Sequence, residues 1–319
     1  MISILILCWG RAYMNILNKI QQEKNNHRII SGMMRLTGKG HDEAMNFLDH
    51  AYGKGVIWFD HADIYGNGDC ERTFGTWLKS RNIQRNNLII QSKCGIRPGV
   101  CYDNSQSYIL KSVDDILSRL GCDYLDVFLI HRPDALWEPE EISSAFDKLY
   151  DSGKVRTFGV SNFNPVQIEY LQKHTSHKIS FNQMQLSLAF APMISEGLET
   201  NTYSQNGLSR AMGILDYCRL HNITIQTWSP LQFGTFNGSF IDNPNYGQLN
   251  TKLWEIAQRN NVSKTAIAAA WNLRIDKDVQ VISGTTNPEH LDDFLQAPNI
   301  TLTREEWYSL YTAAGYSLP

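Results

Sequence analysis

Short apolar runs separated by longer amphipathic ones repeat along the chain, and this alternation restricts the fold more than any other feature. The short runs lie at 29–33, 56–59, 88–92, 125–130, 155–160, 179–183, 224–228 and 279–282. They are rich in β-branched and aromatic residues and have the length of buried strands. Amphipathic segments at 41–53, 70–79, 106–120, 139–152, 164–174, 209–221, 250–260 and 288–296 predict helices between them, and another at 263–274 precedes the last strand. A final helix at 304–314 opens on Thr303-x-x-Glu306, a capping box. Repeated β-then-α units predict an α/β fold, a (β/α)8 TIM barrel, as a single domain over 29–319, with 1–28 as an N-terminal segment of no assigned role. The rival is a doubly wound open sheet. It calls for Gly-x-Gly-x-x-Gly after the first strand, and "SGMMRLTGKG" does not supply it.

Composition narrows the setting. The 319 residues are 42% hydrophobic and 19% charged, an ordinary globular balance. A net charge of −3 without a basic block argues against a nucleic-acid partner. The six cysteines are scattered with no Cys-x-x-Cys, which reads as reduced thiols in a cytoplasmic protein. The opening "MISILILCWG" is apolar but lacks a basic start and a small-residue cleavage site, and it is too short to span a bilayer. Two readings of it stay open: a weak signal peptide, or a natural start at Met14, since residues 1–13 match no element that follows. No other stretch suggests a membrane, and a monomer is expected.

A barrel of this kind puts its active site at the C-terminal ends of the strands. Read in order, those ends offer Asp60, with Tyr65 in the following loop, then Lys93, His131, Ser161-Asn162, Gln183 and Trp228-Ser229-Pro230. The last strand runs into Asn287-Pro288, a cap followed by proline at the first helical position. Singly, each has a plain structural reading: a solvated lysine, a core histidine, a Ser-Asn turn. Together they make chemical sense. Tyrosine has a reference pKa of about 10 and is a poor acid at neutral pH. A lysine ammonium nearby is expected to lower it, an aspartate to hold that lysine charged, and a histidine to orient a substrate oxygen. The set is a proton donor for an oxygen that becomes an alkoxide, and it calls for no metal. The first strand also lacks the His-x-His of a metallohydrolase barrel.

With these residues in view, the sequence resembles the aldo-keto reductase family, from about Ile29 to the C-terminus. The resemblance rests on "FDHADIYG", "SKCG", "DYLDVFLIHRPD", "SGKVRTFGVSNF", "NQMQLS", "WSPL" and "ISGTTNPEHL", in that order. "HADIYG", "HRPD" and "AAGYSLP" are similar to a bacterial-type branch of such oxidoreductases. The resemblance implies hydride transfer from NADPH, with NADH as the alternative, to a small aldehyde or ketone. By position, Asp60, Tyr65, Lys93 and His131 match the family's catalytic four, with Tyr65 as proton donor. Ser161, Asn162 and Gln183 match residues that hydrogen-bond the nicotinamide carboxamide, and Trp228 matches the aromatic that stacks on its ring. Ser229, Leu231, Ser283, Gly284, Thr285 and His290 match the pyrophosphate and adenosine side.

There are departures. Residues 1–28 show no clear β-hairpin floor, Gln185 replaces a frequent glutamate, and Met34 replaces a frequent pocket tryptophan. Arg132 and Trp137 follow His131 in a loop that shapes substrate choice in the family. The segment 231–250 holds no lysine or arginine, which leaves His290 as the expected basic contact to a 2′-phosphate. The same fold also occurs as a cofactor-binding regulatory partner of channels. The four filled catalytic positions favour the enzyme.

Overall fold

The computed structural model describes Glu23 and residues 27–38, 40–200, 211–234 and 237–318. The expectations for Met14, for most of 1–28 and for the start of the 209–221 helix lie outside these residues. The strands are β1 Ile29–Gly32, β2 Trp58–Asp60, β3 Ile89–Cys94, β4 Ile96–Arg97, β5 Cys101–Tyr102, β6 Val127–Ile130, β7 Phe158–Ser161, β8 Ile179–Gln185, β9 Thr224–Trp228 and β10 Gln280–Ser283. All but β4 and β5 pair in parallel into a closed barrel, in the order β1-β10-β9-β8-β7-β6-β3-β2. Helices such as His41–Gly53, Gln106–Leu120 and Pro288–Gln296 cover its outside and bury one apolar core against the strands. Among the described residues no helix is long and apolar enough to cross a membrane.

Several strands begin and end later than their apolar runs. β2, β3, β7 and β10 reach Asp60, Cys94, Ser161 and Ser283. Apolar patterning stops where polar side chains start, but backbone pairing continues: Gly32 pairs with Asp60, Lys93 with Leu129 and Ser161 with Gln183. The ladder thus carries polar residues to the rim with strand precision. Two elements lack an apolar run and were not anticipated: the β4–β5 hairpin and helix Pro192–Leu198.

Alternate residues of each strand point into the barrel. Ile30, Trp58, Ile89, Val127, Leu129, Phe181 and Ile282 form a separate buried cluster there. Trp58 meets Phe181 edge-on at 5.9 Å. A file of buried amides runs through this filling. Gln280 Nε2 donates to the His27 carbonyl at 3.1 Å, Gln226 Nε2 to Gln280 Oε1 at 3.1 Å, and Gln91 Nε2 to Gln226 Oε1 at 2.8 Å. Gln91 Nε2 also reaches Asp60 Oδ1 at 2.6 Å. Each amide offsets the cost of burying the next, because an unpaired buried polar group costs about 1–3 kcal/mol.

Gly159 makes room for this packing. A Cβ there would lie 2.6 Å from Leu129 Cδ2 and 2.7 Å from the Phe181 carbonyl oxygen. Gly159→Ala is therefore expected to destabilise the fold by about 1–3 kcal/mol through overpacking. Urea unfolding measures this, and an unchanged midpoint contradicts it.

Candidate active site

The strand tips converge on one cavity of about 660 Å³, lined by Asp60, Tyr65, His131, Ser161, Asn162, Gln183, Trp228, Ser229, Leu231, Gly284, Thr285 and His290 among others. Lys93 lies beneath its surface, fully buried. Lys93 Nζ donates to Asp60 Oδ1, to Asp60 Oδ2 and to the His61 carbonyl, each at 2.7 Å. That uses all three of its protons. Its Nζ sits 5.2 Å from the Tyr65 ring centroid, and the Tyr65 and His131 rings meet edge-on at 6.2 Å. A loop of left-handed residues, Gly66 and Asn67, follows Tyr65 and turns the chain back into helix Asp69–Ser80.

The electrostatics correct one expectation. Burial first, then the Asp60 carboxylate, push the Tyr65 phenol well above its ordinary value, while Arg35 opposes. The expected lowering by lysine is missing because Lys93 is matched to Asp60 as a closed pair. Burial also pushes Lys93 down, against Asp60. Burial, then Lys93 and Arg132, hold His131 well below its ordinary value, so its imidazole is neutral. The centre thus presents a protonated phenol and a neutral imidazole, whose Nδ1 is buried without a partner.

The wall that carries Trp228 is knitted together. Trp228 Nε1 donates to Asn162 Oδ1 at 3.2 Å, Asn162 Nδ2 to Ser161 Oγ at 2.8 Å, and Ser161 Oγ to the Gln183 carbonyl at 3.0 Å. Gln183 Nε2 then donates to Asp60 Oδ1 at 3.0 Å. Asn162 adopts a left-handed φ of 60°, which aims its amide at both neighbours. Helix Pro288–Gln296 opens under an Asn287 cap and puts His290 and Phe294 on the cavity wall. Ser283 differs from the expectation. It is fully buried, its hydroxyl has no partner, and it is absent from the cavity wall.

Sequence reasoning missed Arg35. It lines the cavity and donates to the Gly284 carbonyl at 3.1 Å. It lies just beyond β1, so a search of the first strand's own tip for cations finds it. Asp63 was missed as well. Its Oδ1 is buried without a partner, next to Glu71, which accepts from Ser92 Oγ at 2.9 Å and from Arg119 Nε at 2.6 Å. Burial, then the Glu71 charge, raise Asp63 to about 7. An unfolded aspartate titrates near 3.9. Between about pH 4 and 7 the fold therefore keeps a proton that the unfolded chain has lost, and stability falls as pH rises through that window. Asp63→Asn removes this penalty. Its stability relative to wild type is expected to rise from pH 4.5 to pH 8, by up to about 3 kcal/mol. Denaturation at several pH values measures the gain, and a pH-independent difference contradicts it.

Comparison with known proteins agrees with this architecture. Residues 28–313 match the Aldo/keto reductase family. The chain is 33% identical over 302 residues to the 6-dehydroglucose reductase of Agrobacterium fabrum, covering 90% of this chain and 94% of that protein. It is 32% identical to oxidoreductase YdhF of Escherichia coli, covering 87% and 89%. Among solved structures it is similar to the thermostable aldo-keto reductase Tm1743, with a TM-score of 0.72, 25% identity, and coverage of 90% and 94%. By its barrel and by these matches, the chain belongs to the aldo/keto reductase family, a family of oxidoreductases.

Proposed function

We propose that the chain reduces an aldehyde or ketone with NADPH or NADH, and that Tyr65 is the proton donor. One observation carries this reading: a protonated phenol and a neutral imidazole face one cavity above a buried, charge-matched Lys93–Asp60 pair. The raised phenol suits the task. It keeps its proton at working pH and yields it only to a base as strong as a nascent alkoxide. His131, neutral, donates a hydrogen bond to the carbonyl oxygen without adding a charge that competes for the proton. The unpaired thiols Cys70, Cys94, Cys101, Cys122 and Cys218 support a cytoplasmic setting.

The residues present fit a nicotinamide dinucleotide. The indole of Trp228, tied at its N–H, is a flat wall for an aromatic ring. Ser161, Asn162 and Gln183 are polar groups beside it. Arg35, Thr285, His290 and the opening of helix Pro288–Gln296 offer positive and hydrogen-bonding groups to phosphates. When bound, the dinucleotide supplies the hydride. Hydride at the carbonyl carbon and the Tyr65 proton at the oxygen together make the alcohol.

Two tests follow. Tyr65→Phe is expected to lower carbonyl reduction by about 10²–10⁴-fold while cofactor affinity stays close to wild type. Wild-type turnover in that variant removes Tyr65 as donor. For the phosphates, Arg35→Met is expected to weaken NADPH and NADH by similar factors, because the pyrophosphate is common to both. His290→Ala is expected to weaken NADPH more than NADH. Fluorescence titration with each cofactor separates the roles, and a reversed pattern sinks the assignment.

A further inference from the structure

Arg132 follows His131 on the cavity wall and is half-buried. Its Cζ lies 5.9 Å from the ring centroid of Trp228. Among the described residues, no carboxylate pairs with it and no acceptor takes its guanidinium protons. The carboxylates of the surrounding loops are engaged elsewhere. Asp134 accepts from Leu136 N at 2.8 Å and Asn104 N at 3.3 Å, and Asp103 accepts from Ser105 Oγ at 2.7 Å. Asp60 is held by Lys93. Meanwhile Asn104 Nδ2 donates to the Arg132 carbonyl at 3.0 Å, which fixes the backbone and leaves the guanidinium to the cavity.

A half-buried cation whose protons have no protein acceptor is served by water until a ligand supplies a counter-charge. Of the other two cations, Lys93 is neutralised internally by Asp60, and Arg35 has an acceptor in the Gly284 carbonyl. The same cavity also carries apolar lining from Met34, Ile64 and Ile96. We propose that Arg132 is a carboxylate anchor, and that the natural substrate is an aldehyde or ketone bearing a carboxylate a few bonds from its carbonyl. The planar guanidinium takes a carboxylate through two parallel N–H donors, a geometry lysine does not reproduce. The proposal rests on the reductase reading for where the carbonyl sits. The anchor itself does not depend on turnover.

Two measurements test it in wild type, Arg132→Met and Arg132→Lys. The first is kcat/KM for 4-carboxybenzaldehyde relative to its neutral methyl ester. Wild type is expected to favour the acid, and Arg132→Met to lower that ratio by about 10–100-fold, with Arg132→Lys between. The second is calorimetric titration with benzoate against benzamide, which needs no reaction. Wild type is expected to bind benzoate more tightly, and Arg132→Met to lose the difference. Reduction of both aldehydes with a ratio unchanged by Arg132→Met overturns the anchor and leaves the reductase reading standing. Benzoate binding that depends on Arg132, without reduction of any carbonyl, keeps the anchor and overturns the reductase reading. Equal binding of benzoate and benzamide by wild type overturns the anchor.

Discussion

The ion pair between Lys93 and Asp60 governs the upper half of the barrel. A lysine with no exposure to water is tolerable only if each of its protons finds an acceptor, and here all three do. Asp60 Oδ1 in turn accepts from Gln91 and Gln183. These partners come from the neighbouring β2 and β3 and from β8, so the full set of contacts needs β8 brought across the barrel. Dependence runs the other way as well. Loss of either partner leaves a buried charge uncompensated, a defect of about 3–5 kcal/mol.

Because that pair is closed, it adds no net charge to the centre of the cavity. The phenol keeps its proton, the imidazole is uncharged, and the cavity wall carries two arginines, Arg35 and Arg132, with no carboxylate partner among the described residues. Both line the same cavity. Whatever binds sets the local field, and the protein contributes positive charge from the sides.

Much of the fold is legible in the sequence, since short β-branched runs alternating with amphipathic segments leave few closed arrangements. The ends of the strands are less legible. Asp60, Lys93 and Ser161 break the apolar pattern while still pairing in the ladder, so the pattern alone stops short. The β4–β5 hairpin and helix Pro192–Leu198 carry no periodic signal of their own. Site residues at strand tips could be named because the barrel gathers them. Gln91, Gln226 and Gln280 could not, because a single glutamine in an apolar run gives no hint that it meets two others inside the barrel. The direction of the Tyr65 shift was also out of reach. It depends on how deeply the phenol is buried and on whether Lys93 is already matched, and both are properties of the closed structure.

The links from Trp228 through Asn162, Ser161 and Gln183 to Asp60 have one more consequence. The indole comes from β9 and the carboxylate from β2, which are not neighbours in the barrel, yet both are surveyed from the same datum. Each joint is a single hydrogen bond between 2.8 and 3.2 Å, so positional error has little room to accumulate along the path. A shift of the wall drags the floor with it. Alignment between the two is thus machined into the protein before any ligand arrives, and a newly shaped loop at the rim inherits it without having to build it again.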